Sequence, residues 1–441
     1  MAEGTHAQTF RRNVTWQFVG SASQTLLSCL ILLLMGRKLN AQGFGEFSIV
    51  MAFVYVANLL TEPRMQDVAA RQFWNLGRDD AARNNQREFF VDLFAFEAVS
   101  KLLPCAALIL LSRPLANMAH LPPEVATLII FSAVGTYFAK LGYGLSMGVL
   151  RVLGRSDQFT YCATGELLLR LLLMLALVGF AELTVTNSIV ALCLAGIISN
   201  ALQLGLAARQ LGSLKATLRS WRPAVSLARV RQHRRTLLSN IGLSASDLMN
   251  KDLDITLLSP MMPSEQIGVY KMAKTIALLT WRAVDPFYIA LMPELNRLIS
   301  MREYARTRQL LYHSSFGLAA LAIGLSLAAF VSLAYLGDAL LGPAFTDAPG
   351  IMVWMLIGVV ASAPFVWGHP LAVALNRADV AFVGSLLGSA LGLCAFLALT
   401  PALGRHGAAI AWTLTLVFGF MFTSMVALRL LKHHKVNIPP S

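Results

Sequence analysis

Charged residues are scarce in this chain. They make up 13% of its 441 residues, about half the ~25% of an ordinary soluble protein. Acids are scarcer than bases, with 23 Asp and Glu against 36 Lys and Arg, a net charge of +13. Too few charges are present to cover a soluble globular surface. Cysteine is rare as well. Cys29, Cys105, Cys162, Cys193 and Cys394 sit singly in apolar stretches, which excludes a disulfide framework and offers no metal-ligand spacing. No Walker loop, no Rossmann glycine fingerprint and no H-E-x-x-H pattern occurs, so the known ATP and zinc signatures are missing. Any transport therefore runs on an ion gradient or downhill, and no cofactor is expected. Dyad alternation of apolar and polar residues is also missing, which excludes a membrane β-barrel.

Long apolar runs are abundant, and hydrophobic residues make up 56% of the chain. About 20 such residues span the hydrocarbon of a bilayer. The runs predict an all-α polytopic membrane protein with twelve spans, near 15–36, 43–62, 89–111, 124–150, 159–180, 186–208, 236–259, 266–292, 309–336, 348–373, 379–400 and 406–430. The polar start "MAEGTHAQTFRRN" shows no cleavage site before a short apolar region, so the first span is expected to be retained.

The basic surplus is distributed by side. With the N-terminus assigned to the cytoplasm, 25 of the 36 Lys and Arg fall in cytoplasmic segments, 4 in the opposite loops and 7 inside spans. That bias is the positive-inside rule. It places both termini in the cytoplasm, argues against a nucleic-acid partner, and leaves membrane lipid as a partner of the basic segments.

The two halves repeat at a shift of 222 to 223 residues. "SAS" at 21–23 recurs at 244–246; Gly45 and Phe47 match Gly268 and Tyr270; Glu62–Pro63 matches Asp285–Pro286; Arg11–Arg12 matches Arg234–Arg235; Arg155 and Asp157 match Arg377 and Asp379. Six spans per half give both halves the same orientation. The expected architecture is two pseudo-symmetric six-helix bundles, 1–208 and 236–441, the second carrying a basic cytoplasmic tail. They are joined by a basic cytoplasmic linker at 209–235 that contains no acid. Transporters built from repeats hold substrate near the bilayer midplane, between the repeats.

Span 7 is the most polar. On a wheel of 100° per residue, Asn240, Ser244, Asp247, Asn250, Lys251 and Asp254 fall within about 60° of one direction, and Asp252 lies off that face. The repeat-equivalent positions of span 1 are Gln17, Ser21, Gln24 and Ser28. Intramembrane ionisable groups face a bundle interior or an aqueous cavity, so the two stripes are expected to line a central cavity. Lys271, Lys274, Arg282 and Asp285 share a face of span 8, Lys140 lies inside span 4, and Glu166 with Arg170 in span 5 is an i,i+4 pair. Alternatives stay open for these groups. Lys251 with Asp247 or Asp254 is either a packing ion pair or a substrate- and ion-handling group. Lys271 and Lys274 either line the cavity or snorkel to the interface. Arg282 is either free or tied to Asp285. Seven cations inside the spans suit an anionic substrate, because Lys and Arg hold phosphates by charge-assisted bonds.

The stretch "GRKLNAQGFGEFSIVMAFVYVANLLTEPRMQDVAARQF" at 36–73 resembles the span 1–2 region of the polysaccharide transporter family, within the multidrug/oligosaccharidyl-lipid/polysaccharide exporter superfamily. "KDLDITLLSPMMPSEQIGVYKMAKTIALL" at 251–279 is similar to the start of that family's second bundle, with Asp254 as its Asp and Gly268–Tyr270 as its G-x-Y. "LNRADVAFVGSLLGSALGLCAFLALTPALGRHGAAIAWTLT" at 375–415 resembles its span 11–12 unit. The resemblance implies a flippase moving undecaprenyl-diphosphate-linked oligosaccharide across the bacterial inner membrane by alternating access, for O-antigen, capsule or exopolysaccharide assembly. It also implies H⁺ or Na⁺ as coupling ion, and polysaccharide polymerase and chain-length proteins as partners. A cation-coupled multidrug antiporter of the same superfamily is the first alternative, and should depend on buried acids in the first half. A scaffold or polyprenyl-sugar transferase is the second, and should show large acidic loops.

Overall fold

Lipid offers backbone amides and carbonyls no partner, so a continuous apolar run has to satisfy them within its own helix. The computed structural model describes residues 2–75, 80–212, 240–241, 244, 248 and 251–436. Among the described residues there is no strand. The first half holds α1 (Ala2–Thr61), α2 (Met65–Asn75), α3 (Asp80–Met118), α4 (Glu124–Lys140), α5 (Tyr143–Val152), α6 (Ser156–Phe180) and α7 (Val185–Leu211). The second half holds α8 (Leu253–Leu258), α9 (Ser264–Arg282), α10 (Asp285–Ser300), α11 (Tyr304–Leu340), α12 (Ala348–Ser362), α13 (Gly368–Ala374), α14 (Ala378–Leu403) and α15 (Arg405–Val436).

Among the described residues, nine helical stretches are long and apolar enough to cross a membrane. The first, Gly20–Ala69, takes in both of the first two expected spans. The 60 residues of α1 would measure about 90 Å at 1.5 Å per residue, three times the hydrocarbon. The run is interrupted at Asn40, whose φ of 56° is left-handed and non-helical. Of expected span 7, only residues 240–241, 244, 248 and 251–259 are described. Expected span 8 is not one helix: it divides at Ala283–Val284 into α9 and α10, and its Lys271, Lys274 and Arg282 lower its hydropathy. Large apolar side chains stand exposed on the outer faces, Leu110, Phe180 and Tyr335 among them. Such a surface suits lipid and not water.

The contacts cluster into two units, Met1–Leu39 with Ile49–Ala245, and Asn40–Ser48 with Ser246–Ser441. The expected linker at 209–235 lies, beyond Gly212, outside the described residues. In the first unit α2, α3, α5 and α7 close around an apolar cluster containing Ala69, Phe73, Phe89, Leu145 and Val149. In the second, α10, α11, α13, α14 and α15 close around Leu291, Leu295, Leu311, Trp367 and Leu371. Each residue of the second set stands 222 positions after its counterpart in the first. The backbone repeats with the same shift. His120 and Gly342 both take positive φ (52° and 96°), as do Gly154 and Asn376 (72° and 59°). The α4–α5 break at 141–142 is matched by a break at Ala363–Phe365 between α12 and α13. The internal repeat is thus built into both the core and the interruptions of the helices.

Candidate functional site

Two polar clusters lie inside the apolar units, and each forms where a span is interrupted. In the first unit the expected continuous span 124–150 breaks at Leu141–Gly142. Gly142 has φ 76°, a left-handed conformation that glycine adopts without penalty. The sequence "KLGYG" carried that signal, and the apolar run around it obscured it. A broken helix exposes carbonyls that a membrane interior leaves unsatisfied. Asn200 Nδ2 donates to the Phe138 and Leu141 carbonyls at 3.1 and 2.8 Å. Gln203 Nε2 donates to the Tyr143 carbonyl at 3.1 Å and to Ser146 Oγ at 2.8 Å. Lys101 Nζ donates to the Lys140 carbonyl and to Glu97 Oε1, the latter at 2.6 Å. The Leu145 amide, in the first turn of α5, is near the Glu97 carboxylate, whose Oε2 is buried and accepts no hydrogen bond. Glu97 therefore meets the positive end of α5 and Lys101 the negative end of α4, the favourable arrangement for both helix dipoles. Gln203 is fully buried, so Gln203→Leu removes its two hydrogen bonds, to the Tyr143 carbonyl, which keeps Ser146 Oγ, and to Ser146 Oγ itself. The expected cost is ~1–3 kcal/mol, read as a fall in the thermal unfolding midpoint of the detergent-solubilised protein.

Lys140, at the end of α4, keeps an exposed side chain, with its Nζ 4.3 Å from the centroid of the Tyr143 ring. Arg170 and Glu166 form the expected i,i+4 pair at 2.8 Å.

In the second unit, a turn at Lys251–Asp252 precedes the six-residue α8. Helical phase is lost across that turn, so the wheel drawn through span 7 does not carry over it. Asp254, 1% exposed, is the centre of the cluster. Its Oδ1 accepts from the Ile255 amide at 2.9 Å and from Lys274 Nζ at 2.7 Å. Its Oδ2 accepts from Lys274 Nζ at 2.8 Å and from the Tyr270 hydroxyl. Lys274 and Tyr270 are fully buried. Lys274 Nζ also donates to the Lys251 carbonyl and lies 3.9 Å from Asp252 Oδ1. Asp252 in turn pairs with Lys271 at 2.6 Å.

Of the residues singled out in the sequence, Asp254, Lys271 and Lys274 come together here. Asp252, which the wheel excluded, joins them, and so does Tyr270, visible beforehand only as part of a G-x-Y pattern. Lys274 does not snorkel. Of the two candidate acids for Lys251, Asp254 is taken by Lys274 and Asp247 lies outside the described residues; Lys251 contributes its carbonyl to the cluster, and its side chain is exposed. Arg282 is exposed at the end of α9, and the side chain of Asp285 lies outside the described residues. Asp247 and Asn250 also lie outside them. Gln24 and Ser28 are half-buried on α1. Two members of the expected stripe have another task. Asn240 Nδ2 donates to the Pro63 carbonyl and Ser244 Oγ to the Glu62 carbonyl, each at 3.1 Å, closing the bend that follows α1. Among the described residues no group of His, Cys, Asp and Glu is placed to hold a metal ion.

No family model matches the chain, and no curated protein matches it. Solved structures do resemble it. An inward-facing multidrug resistance transporter of the MATE family in the MOP superfamily aligns over 94% of this chain and 96% of its own, with TM-score 0.74 at 13% identity. The lipid II flippase MurJ, in an inward closed conformation, aligns over 97% and 93%, with TM-score 0.69 at 10% identity. The Vibrio cholerae MATE transporter VcmN aligns over 99% and 98%, with TM-score 0.60 at 15% identity. The chain has the fold shared by these transporters.

Proposed function

We propose that the protein is a flippase for an anionic lipid-linked oligosaccharide, carried on a polyprenyl diphosphate, in the bacterial inner membrane. The observation that carries this reading is the charge left over after pairing. Glu97, Glu166, Asp252 and Asp254 are each neutralised by a lysine or arginine within 2.6–2.8 Å. Lys140 keeps an exposed side chain with no acidic partner among the described residues; Lys251 and Arg282 are exposed too, and their candidate acids Asp247 and Asp285 have side chains outside the described residues. A cation without an acid inside a span is costly, and Lys140 is explained if an anionic ligand completes it. A diphosphate headgroup cannot enter lipid unaided, because its polar groups would lose their hydration. Ammonium and guanidinium groups replace that hydration, while the polyprenyl tail remains in the hydrocarbon.

Neighbours of the same fold include both a multidrug transporter and a lipid II flippase, so fold does not separate the readings. An antiporter of organic cations needs a carboxylate free to meet its substrate, and these four are occupied. H⁺ or Na⁺ coupling, and assembly with a polymerase and chain-length proteins, belong to the proposal as its biological setting.

The test uses proteoliposomes loaded with a labelled lipid-linked oligosaccharide, and follows headgroup exposure to a membrane-impermeant reagent. A hydrogen bond to a charged group contributes ~1.5–3 kcal/mol. Lys140→Ala, Lys251→Ala and Arg282→Ala are each expected to slow exposure about tenfold or more, with unfolding midpoints close to wild type. Transport of dye cations in place of headgroup exposure would move the assignment to the multidrug branch.

A further inference from the structure

Both units place a buried lysine ammonium on the same kind of oxygen donors. In the first, Lys101 Nζ meets the Glu97 carboxylate and the Lys140 carbonyl, the last residue of α4 before its break. In the second, Lys274 Nζ meets both oxygens of Asp254 and the Lys251 carbonyl, in the turn before α8. The Tyr270 hydroxyl oxygen lies on the same carboxylate. A carboxylate beside a main-chain carbonyl released by a helix interruption is what interrupted helices of transporters offer to a coupling cation. Hard cations select such oxygen donors. An ammonium is a compact point charge, and here it sits in the middle of that set. Lys274 is fully buried and Asp254 nearly so, so the ammonium is held among these oxygens away from solvent.

We propose that Lys274 is a resident cation: it fills, as part of the chain, a monovalent-cation site formed by the Asp254 carboxylate and the Lys251 carbonyl. The wild-type protein then binds no sodium at this place, and the site opens to sodium only when the ammonium is removed. Lys101 on Glu97 repeats the arrangement in the first unit, with the pairing made inside α3 rather than from a neighbouring helix. The inference concerns an ion and not the transported molecule, so it stands or falls separately from the flippase reading.

The test needs no transport substrate. Thermal unfolding of the purified full-length protein is followed in sodium chloride and in N-methylglucamine chloride at equal ionic strength. Wild type is expected to unfold at the same temperature in both. Lys274→Met, matched in length and uncharged, is expected to unfold several degrees lower in N-methylglucamine and to regain most of that loss in sodium, with saturation. Adding Asp254→Asn to Lys274→Met is expected to abolish the sodium response. Radioactive sodium binding to Lys274→Met, at about one ion per chain, gives an independent readout. A folded Lys274→Met with no sodium response would overturn the proposal and leave a plain ion pair. If Lys274→Met does not fold, Lys274→Gln takes its place with the same expectations, and in wild type a saturable sodium-specific shift that Asp254→Asn removes would show that the ion binds with the lysine in place and would overturn the proposal.

Discussion

Asp254→Leu is expected to lower stability by about 3–5 kcal/mol, the usual cost of removing one partner of a buried ion pair. Most of that cost is the Lys274 ammonium left fully buried without its counter-charge. The Tyr270 hydroxyl and the Ile255 amide lose an acceptor in the same step, at ~1 kcal/mol each. The double variant Asp254→Leu/Lys274→Met is expected to recover the larger part of the loss, because replacing both charges by apolar groups removes the desolvation penalty together with the attraction. What remains is the stranded Tyr270 hydroxyl and the Lys251 carbonyl. The measurement is the unfolding midpoint of single and double variants in one detergent, with headgroup exposure assayed in parallel. Because Asp254 and Lys274 are buried against each other, exposure per folded molecule in the double variant is expected to stay close to wild type. A double variant as unstable as Asp254→Leu would mean that the network, and not the unpaired charge, carries the energy.

This cluster shows where sequence reasoning reached and where it stopped. Apolar run length is set by bilayer thickness, so the class and most of the spans were legible. The 222-residue repeat was legible too, since residues that must fold alike were written alike: Gly154 and Asn376 take the same left-handed turn, and the residue after each is an arginine, Arg155 and Arg377. Helix interruptions were not legible. At Leu141–Gly142 the hydrophobicity continues while the helix stops, and at Lys251–Asp252 a turn precedes α8, so one wheel does not carry through either point. That is why Asp252, off the face drawn for span 7, still joins Lys271 and Lys274. Charge pairing between helices was hidden as well. Lys274 meets Asp254 from 20 residues away, and only the fold brings them together.

Gly45→Ala and Gly268→Ala are expected to be the most damaging of the small substitutions. The segment Asn40–Ser48 packs within the second unit, and its contact with α9 is reciprocal. A Cβ on Gly45 would overlap the Ser264 carbonyl, and a Cβ on Gly268 would overlap the Ala41 carbonyl. Ala41 precedes Gly45 as Ser264 precedes Gly268, four residues apart in each case, and all four positions are partners in the 223-residue repeat. Small residues at that spacing let two helix backbones touch, which is how helices associate without a hydrophobic driving force between them. Here the obstacle to a methyl group is main chain, which cannot rotate away. The helices must separate, and overpacking of this kind costs ~1–3 kcal/mol. Gly165→Ala is the control: it is also within a helix, but nothing lies within 4 Å of its added Cβ, and it is expected to be neutral or to stabilise by up to about 1 kcal/mol, the helix-interior preference for alanine over glycine. The double variant Gly45→Ala/Gly268→Ala separates the cause from a general loss of helix packing. Once one methyl group has moved the helices apart, the second meets less resistance, so the double is expected to cost clearly less than the sum of the singles. Additive losses in the unfolding midpoint would mean that each glycine is needed for its own local reason and that the reciprocal contact is not the shared constraint.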